Sequence, residues 1–248
     1  MKAKKGKAGA LQEIKSLIEN YFCDKKTGKF QSGIVYCLSQ KECNDTAEKL
    51  SSMVHSLTVR PYHAGLSIEE RSGTQQAWIQ DKVKVTLIQL CSSYRHIICI
   101  SIDRVCYHRL RHGHRQARLV SSYCLLSSYN CFISDVRFVI HQSLPKSIEG
   151  YYQESGRAGR DGERAVCVMF YSYGDCHRLR KLIDMGEGDK RSKETHYDNL
   201  WQMVRYCENI SDCRRMQQLQ YFGEVFDTSK CGEMRLAKCD NCKVTLLS

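Results

Sequence analysis

Four short apolar runs limit what this chain can fold into: SGIVYCLS (32–39), KVKVTLIQL (82–90), VRFVIH (136–141) and RAVCVMFYS (164–172). Each is rich in β-branched or aromatic residues, has strand length, and largely lacks the alternation of a sheet with one wet face. Helical spacing fills much of the intervening sequence. LQEIKSLIENYF brings Leu11, Ile14, Leu17, Ile18 and Tyr21 to one side, and QKECNDTAEKLSSMVHSL does the same with Cys43, Ala47, Leu50 and Val54. VRPYHAGLS (59–67) reads as a strand entering a loop. Ser67 then predicts an N-cap for the helix SIEERSGTQQAWIQD, with Glu70 three residues on to complete a capping box. Strands alternating with helices predict an α/β fold, a parallel sheet covered on both faces. From Gly174 the pattern becomes helical through GDCHRLRKLIDMG, KETHYDNLWQMVRYCEN and SDCRRMQQLQYFGE. The lysine-rich opening, to about Ala8, reads as a disordered tail or linker.

Charge and cysteine usage narrow the function classes. With 38 basic and 27 acidic residues the formal net charge is +11, which suits a polyanionic partner, although basic surfaces also serve solubility. No run of about 18 apolar residues is present and the first residues lack a signal-peptide core, so the chain reads as soluble and intracellular, with no membrane partner. The 15 cysteines are then better explained as buried thiols or metal ligands than as disulfides.

Cys213, Cys231, Cys239 and Cys242 stand in the spacing C-x17-C-x7-C-x2-C. A C-x2-C pair can turn back onto one tetrahedral zinc while a second pair comes from elsewhere. Cys213 is predicted in a helix and the other three in a loop. Four protein ligands leave no open position, so the metal would be structural. Four buried thiols, or a redox pair, are the alternatives. A second grouping, Cys91, Cys99, Cys106, His108, His112 and His114, matches no familiar metal-ligand spacing.

GYYQESGRAGRDGE (150–163) spaces Gln153, Arg157 and Arg160 along what reads as one short helical face. Arginines there could simply meet the negative end of the helix dipole. Alternatively, they form a site for a phosphate, since a guanidinium is permanently charged and presents a rigid fork of donors.

Taken in order, IVYCLSQKEC, YHAGLS, DVRFVIHQSLPKSIEGYYQESGRAGRDG, YCENISDCRRMQQLQYFGE and CDNC resemble the RecQ family of DNA helicases, most closely its Bloom-type eukaryotic members. The resemblance covers about residues 10–85 and 135–242. It implies a RecA-like parallel sheet with flanking helices over residues 10–173, after a basic tail at 1–9. A small helical zinc-binding subdomain would follow at 174–248. It also implies an ATP-dependent 3′ to 5′ DNA helicase acting in recombination, repair and replication, in the nucleus. QESGRAGR is similar to helicase motif VI, which makes Arg160 the arginine finger toward the γ-phosphate, with Arg157 and Gln153 beside it. HQSLPKS makes Ser143, Lys146 and Ser147 candidate DNA phosphate contacts, and YHAGL adds His63, for which a satisfied histidine at a strand end is the alternative. Such contacts would be sequence-independent and salt-sensitive.

Two departures qualify that picture. The 248 residues contain no G-x-x-x-x-G-K-[ST] loop and no D-E-x-H box, so ATP and Mg2+ would be held only with a complementary first RecA-like domain, and the chain alone is expected to be inactive. Residues 86–134 replace the glycine-containing motif V with a stretch holding one acidic residue and five cysteines. The abrupt resumption at SDVRFVIH points to a retained intron or misplaced exon boundary. The competing reading is a non-catalytic, zinc-stabilised DNA-binding or interaction module; protein partners, preferred DNA structure and oligomeric state are not encoded in any motif.

Overall fold

This computed structural model describes residues 1–3, 6–90, 136–231 and 238–244. Among the described residues six strands form one sheet: β1 (Lys2–Ala3), β2 (Ser32–Cys37), β3 (Val59–Tyr62), β4 (Val85–Gln89), β5 (Val136–His141) and β6 (Val166–Tyr171). Their order is β1-β6-β5-β2-β4-β3, and every pairing is parallel. The predicted α/β sheet is therefore present. Strand β4 extends the expected pattern to Gln89, so the start of the anomalous 86–134 interval belongs to the sheet. Residues 91–135, including the Cys91–His114 grouping and the missing motif V, lie outside the described residues.

Both faces are covered because the strands are apolar on both sides. In β2, Val35 and Cys37 join a core with α1 (Gly6–Tyr21) and α2 (Gln40–Met53). Ile34 and Tyr36, pointing the other way, join Tyr62, Val139 and Trp78 of α3 (Ile68–Ile79). Phe138 and Ile140 of β5 alternate with Val139 in the same manner. Gly33 is required by close approach: a Cβ there would lie 2.2 Å from the Phe138 ring.

Helices α2 and α3 start where the sequence predicts. Ser67 accepts from Glu70 N at 3.1 Å while Glu70 accepts from Ser67 N at 2.8 Å, the capping box of α3. Ser39 and Ser147 cap α2 and α4 (Ile148–Ser155). Two expectations need correction. In α1 it is Phe22, just past the helix, that enters the core, and Tyr21 is 72% exposed. Nor is the opening a detached tail, since Lys2–Ala3 pairs with β6 and α1 already begins at Gly6.

The helical part comprises α5 (Tyr173–Met185), α6 (Lys190–Glu208), α7 (Arg214–Tyr221), a 3-10 turn (Thr228–Cys231) and α8 (Asp240–Val244). Its core is shared with the sheet: Leu179, Leu200, Met203 and Val204 pack with Leu144, Ile148 and Met169. Burying that common surface, at roughly 25 cal/mol per Å² of apolar area, holds the helices against the carboxyl ends of β5 and β6. No helix among the described residues is long and apolar enough to cross a membrane.

Candidate arginine turn and metal centre

From β2 the chain travels to β3 and β4 on one side, then crosses to β5 and β6 on the other. The loops leaving the carboxyl ends of β2 and β5 consequently diverge, and open α/β sheets bind ligands at such a crevice. The sequence-predicted residues of the β5–α4 region lie here. Helix α4 is short, so Arg157 and Arg160 do not share its face as expected. The helix stops at Ser155, and the arginines lie in the turns that follow.

Backbone geometry builds those turns. Gly156 N donates to Tyr152 O at 2.9 Å, and Gly159 N donates to Val136 O at 3.0 Å, which pins the loop to the start of β5. Gly159 has φ +67°, and a Cβ there would meet Glu163 O at 2.9 Å and Ala165 Cβ at 3.0 Å. Only glycine fits without strain. An Arg137–Asp161 ion pair fastens the far end of the turn. Arg160 is exposed and its Nε donates to Gly156 O at 3.1 Å; Gln153 is exposed on α4.

Arg157 is half-buried, and its Nε is enclosed without a hydrogen-bond partner among the described residues. It lies beside a buried polar cluster with no local sequence signal. His141 is fully buried, bonds Glu154 Oε2 through Nε2 at 2.9 Å, and stacks on Tyr36 with ring centroids 4.9 Å apart. Burial drives the Tyr36 phenol well above its ordinary range, against the pull of the Arg157 charge and with a smaller push from Glu154.

The expected DNA-facing residues are less open than their motif suggests. Ser143 is buried and donates to Glu42 Oε2 at 3.5 Å; Ser147 is buried and accepts from Gly150 N at 3.0 Å as the α4 cap. Lys146 is half-buried between them. His63 is buried, with Nε2 2.9 Å from Asn44 Oδ1 and Nδ1 without a partner among the described residues. Burial lowers its pKa, opposed by the nearby Glu70 carboxylate.

At the other end of the helical part the four cysteine sulfurs all lie within 4.8 Å of one another. A tetrahedron with Zn–S bonds of about 2.3 Å has edges of about 3.8 Å, so a small contraction would close the site on zinc. Cys213 is the residue preceding α7 rather than part of that helix, Cys231 ends the 3-10 turn, and Cys242 sits in α8. Cys239 Sγ is 3.9 Å from Cys213 Sγ and accepts from Cys242 N at 3.4 Å. Arg215 donates to Cys231 Sγ at 2.8 Å, a contact that favours a thiolate. Burial pushes the Cys231 thiol up, but the Cys239 backbone and the neighbouring thiols outweigh it and bring its pKa down to about 7. Asn241 ties the C-x2-C turn to the α6–α7 corner, donating to Asn209 O at 2.9 Å and Asp212 O at 2.7 Å. Buried Arg214 grips Asp240 with Nε at 3.1 Å from Oδ1. All-thiolate donors in this arrangement fit a structural zinc and no open catalytic position.

Residues 173–243 match the family model described as RecQ zinc-binding. Over 221 residues, 88% of the chain, it is 43% identical to the RecQ-like DNA helicase BLM of Xenopus laevis, covering 14% of that protein. It is 40% identical over 212 residues, 86% of the chain, to the ATP-dependent DNA helicase hus2/rqh1 of Schizosaccharomyces pombe, covering 13% of it. Identity to the ATP-dependent helicase SGS1 of Saccharomyces cerevisiae is 33% over 224 residues, 89% of the chain and 13% of the relative. The chain thus spans 13–14% of the length of these relatives.

Proposed function

We propose that this chain, which belongs to the RecQ family and resembles its Bloom-type members, works as the second RecA-like domain and zinc-binding unit of an ATP-dependent 3′ to 5′ DNA helicase. Residues 10–173 form the RecA-like part and 174–248 the zinc-binding part, a division supported by the family match over residues 173–243. The observation that carries this reading is the glycine-built turn of residues 156–162, which follows α4 and is held to the start of β5. A turn anchored at both ends can hold a guanidinium in place before the nucleotide arrives, and such preorganisation is where electrostatic catalysis gains most.

In this assignment Arg160 neutralises charge on the transferring γ-phosphoryl group, and Arg157 and Gln153 sense the nucleotide. ATP and Mg2+ are held by a first RecA-like domain, since these 248 residues contain no phosphate-cradling P-loop. Cys213, Cys231, Cys239 and Cys242 would hold a structural zinc, which would supply a rigid cross-link and no chemical step. The partner is DNA, bound through its backbone by the loop carrying Lys146 and by the basic surface. The protein acts in the nucleus, in recombination, repair and replication.

The formal net charge of +11 also suits a second reading, a non-catalytic, zinc-stabilised DNA-binding module. Both are tested by mixing the chain with a separately prepared first RecA-like domain from a RecQ relative and measuring DNA-stimulated ATP hydrolysis. Turnover is expected only in the mixture, and Arg160→Ala should lower it by about 10³- to 10⁵-fold. Salt-sensitive DNA binding without any rescued turnover would favour the second reading. Equal turnover with Arg160→Ala would remove Arg160 from the site.

A further inference from the structure

The Glu42 carboxylate sits where three distant parts of the chain meet. Its Oε2 accepts from Leu38 N at 3.1 Å, just beyond β2, and from Ser143 Oγ at 3.5 Å, just beyond the paired strand β5. Its Oε1 accepts from the guanidinium of Arg178, on helix α5 of the zinc-binding unit. Arg178 also bonds Asp175, a buried carboxylate one turn earlier, at 3.3 Å. A second tie lies alongside, where Gln142 Oε1 accepts from Thr46 Oγ1 at 3.2 Å and from Cys37 Sγ at 3.4 Å. The β5–α4 loop is therefore clamped at its beginning by α2, whose Glu42 is in turn gripped by Arg178 of α5, and at its end by the Ser147 cap of α4. Helix α4 in turn leads directly into the arginine turn.

We infer that Glu42 is a positioning residue: with Arg178 it locks the zinc-binding unit to the β5–α4 loop and so holds that loop in its DNA-binding shape. Ser143 then serves as an internal tie rather than as a contact to phosphate. The inference rests on the DNA-binding part of the function proposed above. Charge alone makes the opposite forecast. Removing a carboxylate from a face that meets a polyanion should tighten binding by simple electrostatics. Loss of positioning should weaken it.

The test compares the zinc-loaded chain with Glu42→Gln, Arg178→Gln, Ser143→Ala and the Glu42→Gln/Ser143→Ala double variant. Binding of fluorescent oligo-dT is measured across a salt series, with thermal midpoints to confirm folding. Glu42→Gln should weaken binding about two- to thirtyfold, the range for changes that act through packed networks. The slope of log affinity on log salt should shrink by about 0.7 for each phosphate that the displaced loop no longer neutralises. Ser143→Ala should weaken binding in the parent but add nothing once Glu42 is replaced. Tighter or unchanged binding by Glu42→Gln overturns the inference, as does full additivity of the two substitutions. If the parent chain binds no DNA, the proposed function fails separately, and amide hydrogen exchange over residues 142–150 judges the clamp. Faster exchange in both Glu42→Gln and Arg178→Gln supports the clamp, and unchanged exchange overturns it.

Discussion

Replacing Gly159 by alanine perturbs the arginine turn without touching an arginine or any charge. At φ +67° an alanine carries a left-handed backbone penalty of ~1–2 kcal/mol. Its Cβ would also press on Glu163 O at 2.9 Å and Ala165 Cβ at 3.0 Å, a crowding that adds ~1–3 kcal/mol. The sum is about 2–5 kcal/mol, and at about 2–4 °C per kcal/mol for a chain of this size Tm should fall by roughly 4–20 °C. Gly162 supplies the control, because it has φ +84° but nothing within 4 Å of its would-be Cβ. Gly162→Ala should therefore carry only the backbone penalty and lower Tm by roughly 2–8 °C. Thermal unfolding followed by far-ultraviolet circular dichroism on the zinc-loaded protein reads both values. In the same samples, exchange of the Gly159→Ala turn amides should accelerate, since the bond from residue 159 N to Val136 O is the one forced open. A Gly159→Ala midpoint equal to the parent's, or a larger loss from Gly162→Ala, would refute the crowding argument.

Cys239→Ser, or removal of zinc by a chelator, should release the metal and expose α7 and α8 to rapid amide exchange; retention of one zinc per chain by the serine variant would remove Cys239 from the ligand set. His63 is held with a depressed pKa in the fold, so its contribution is present above the unfolded value of about 6.5 and is lost as pH falls through the lower folded value. Replacing it by glutamine should flatten the decline in Tm on acidification below pH 7; an unaltered decline would show that other groups carry it.

Much of this architecture is legible in short windows of sequence. A strand such as IVYC declares burial on both faces because Val35 and Cys37 are as apolar as Ile34 and Tyr36, and the core clusters accept both sets. The α3 capping box is local too, since Ser67 and Glu70 are three residues apart. Of the metal site, C-x2-C carries its own signal, whereas Cys213 and Cys231 become ligands only when the α6–α7 corner and the 3-10 turn bring them to it. The direction of Tyr21 against Phe22 was settled by the exit of the chain from α1, where periodicity no longer applies and Phe22 stacks on Phe138 at 4.2 Å.

Tertiary structure alone decided the long-range polar contacts. The Glu42 partners Ser143 and Arg178 stand 101 and 136 residues away, and His141 reaches Glu154 by a helix folding back over its strand. No periodicity encodes such pairings, because a charged side chain has the same local pattern whether it meets water or a buried partner. Ser143 shows the consequence: its motif suggests a phosphate contact, while the fold turns its hydroxyl inward to a carboxylate. Sequence by itself determined most of the elements, the C-x2-C pair and the arginine stretch, since these depend on neighbours a few residues apart. Packing determined which of those groups stay open to a ligand, because exposure follows from what the rest of the chain lays against them.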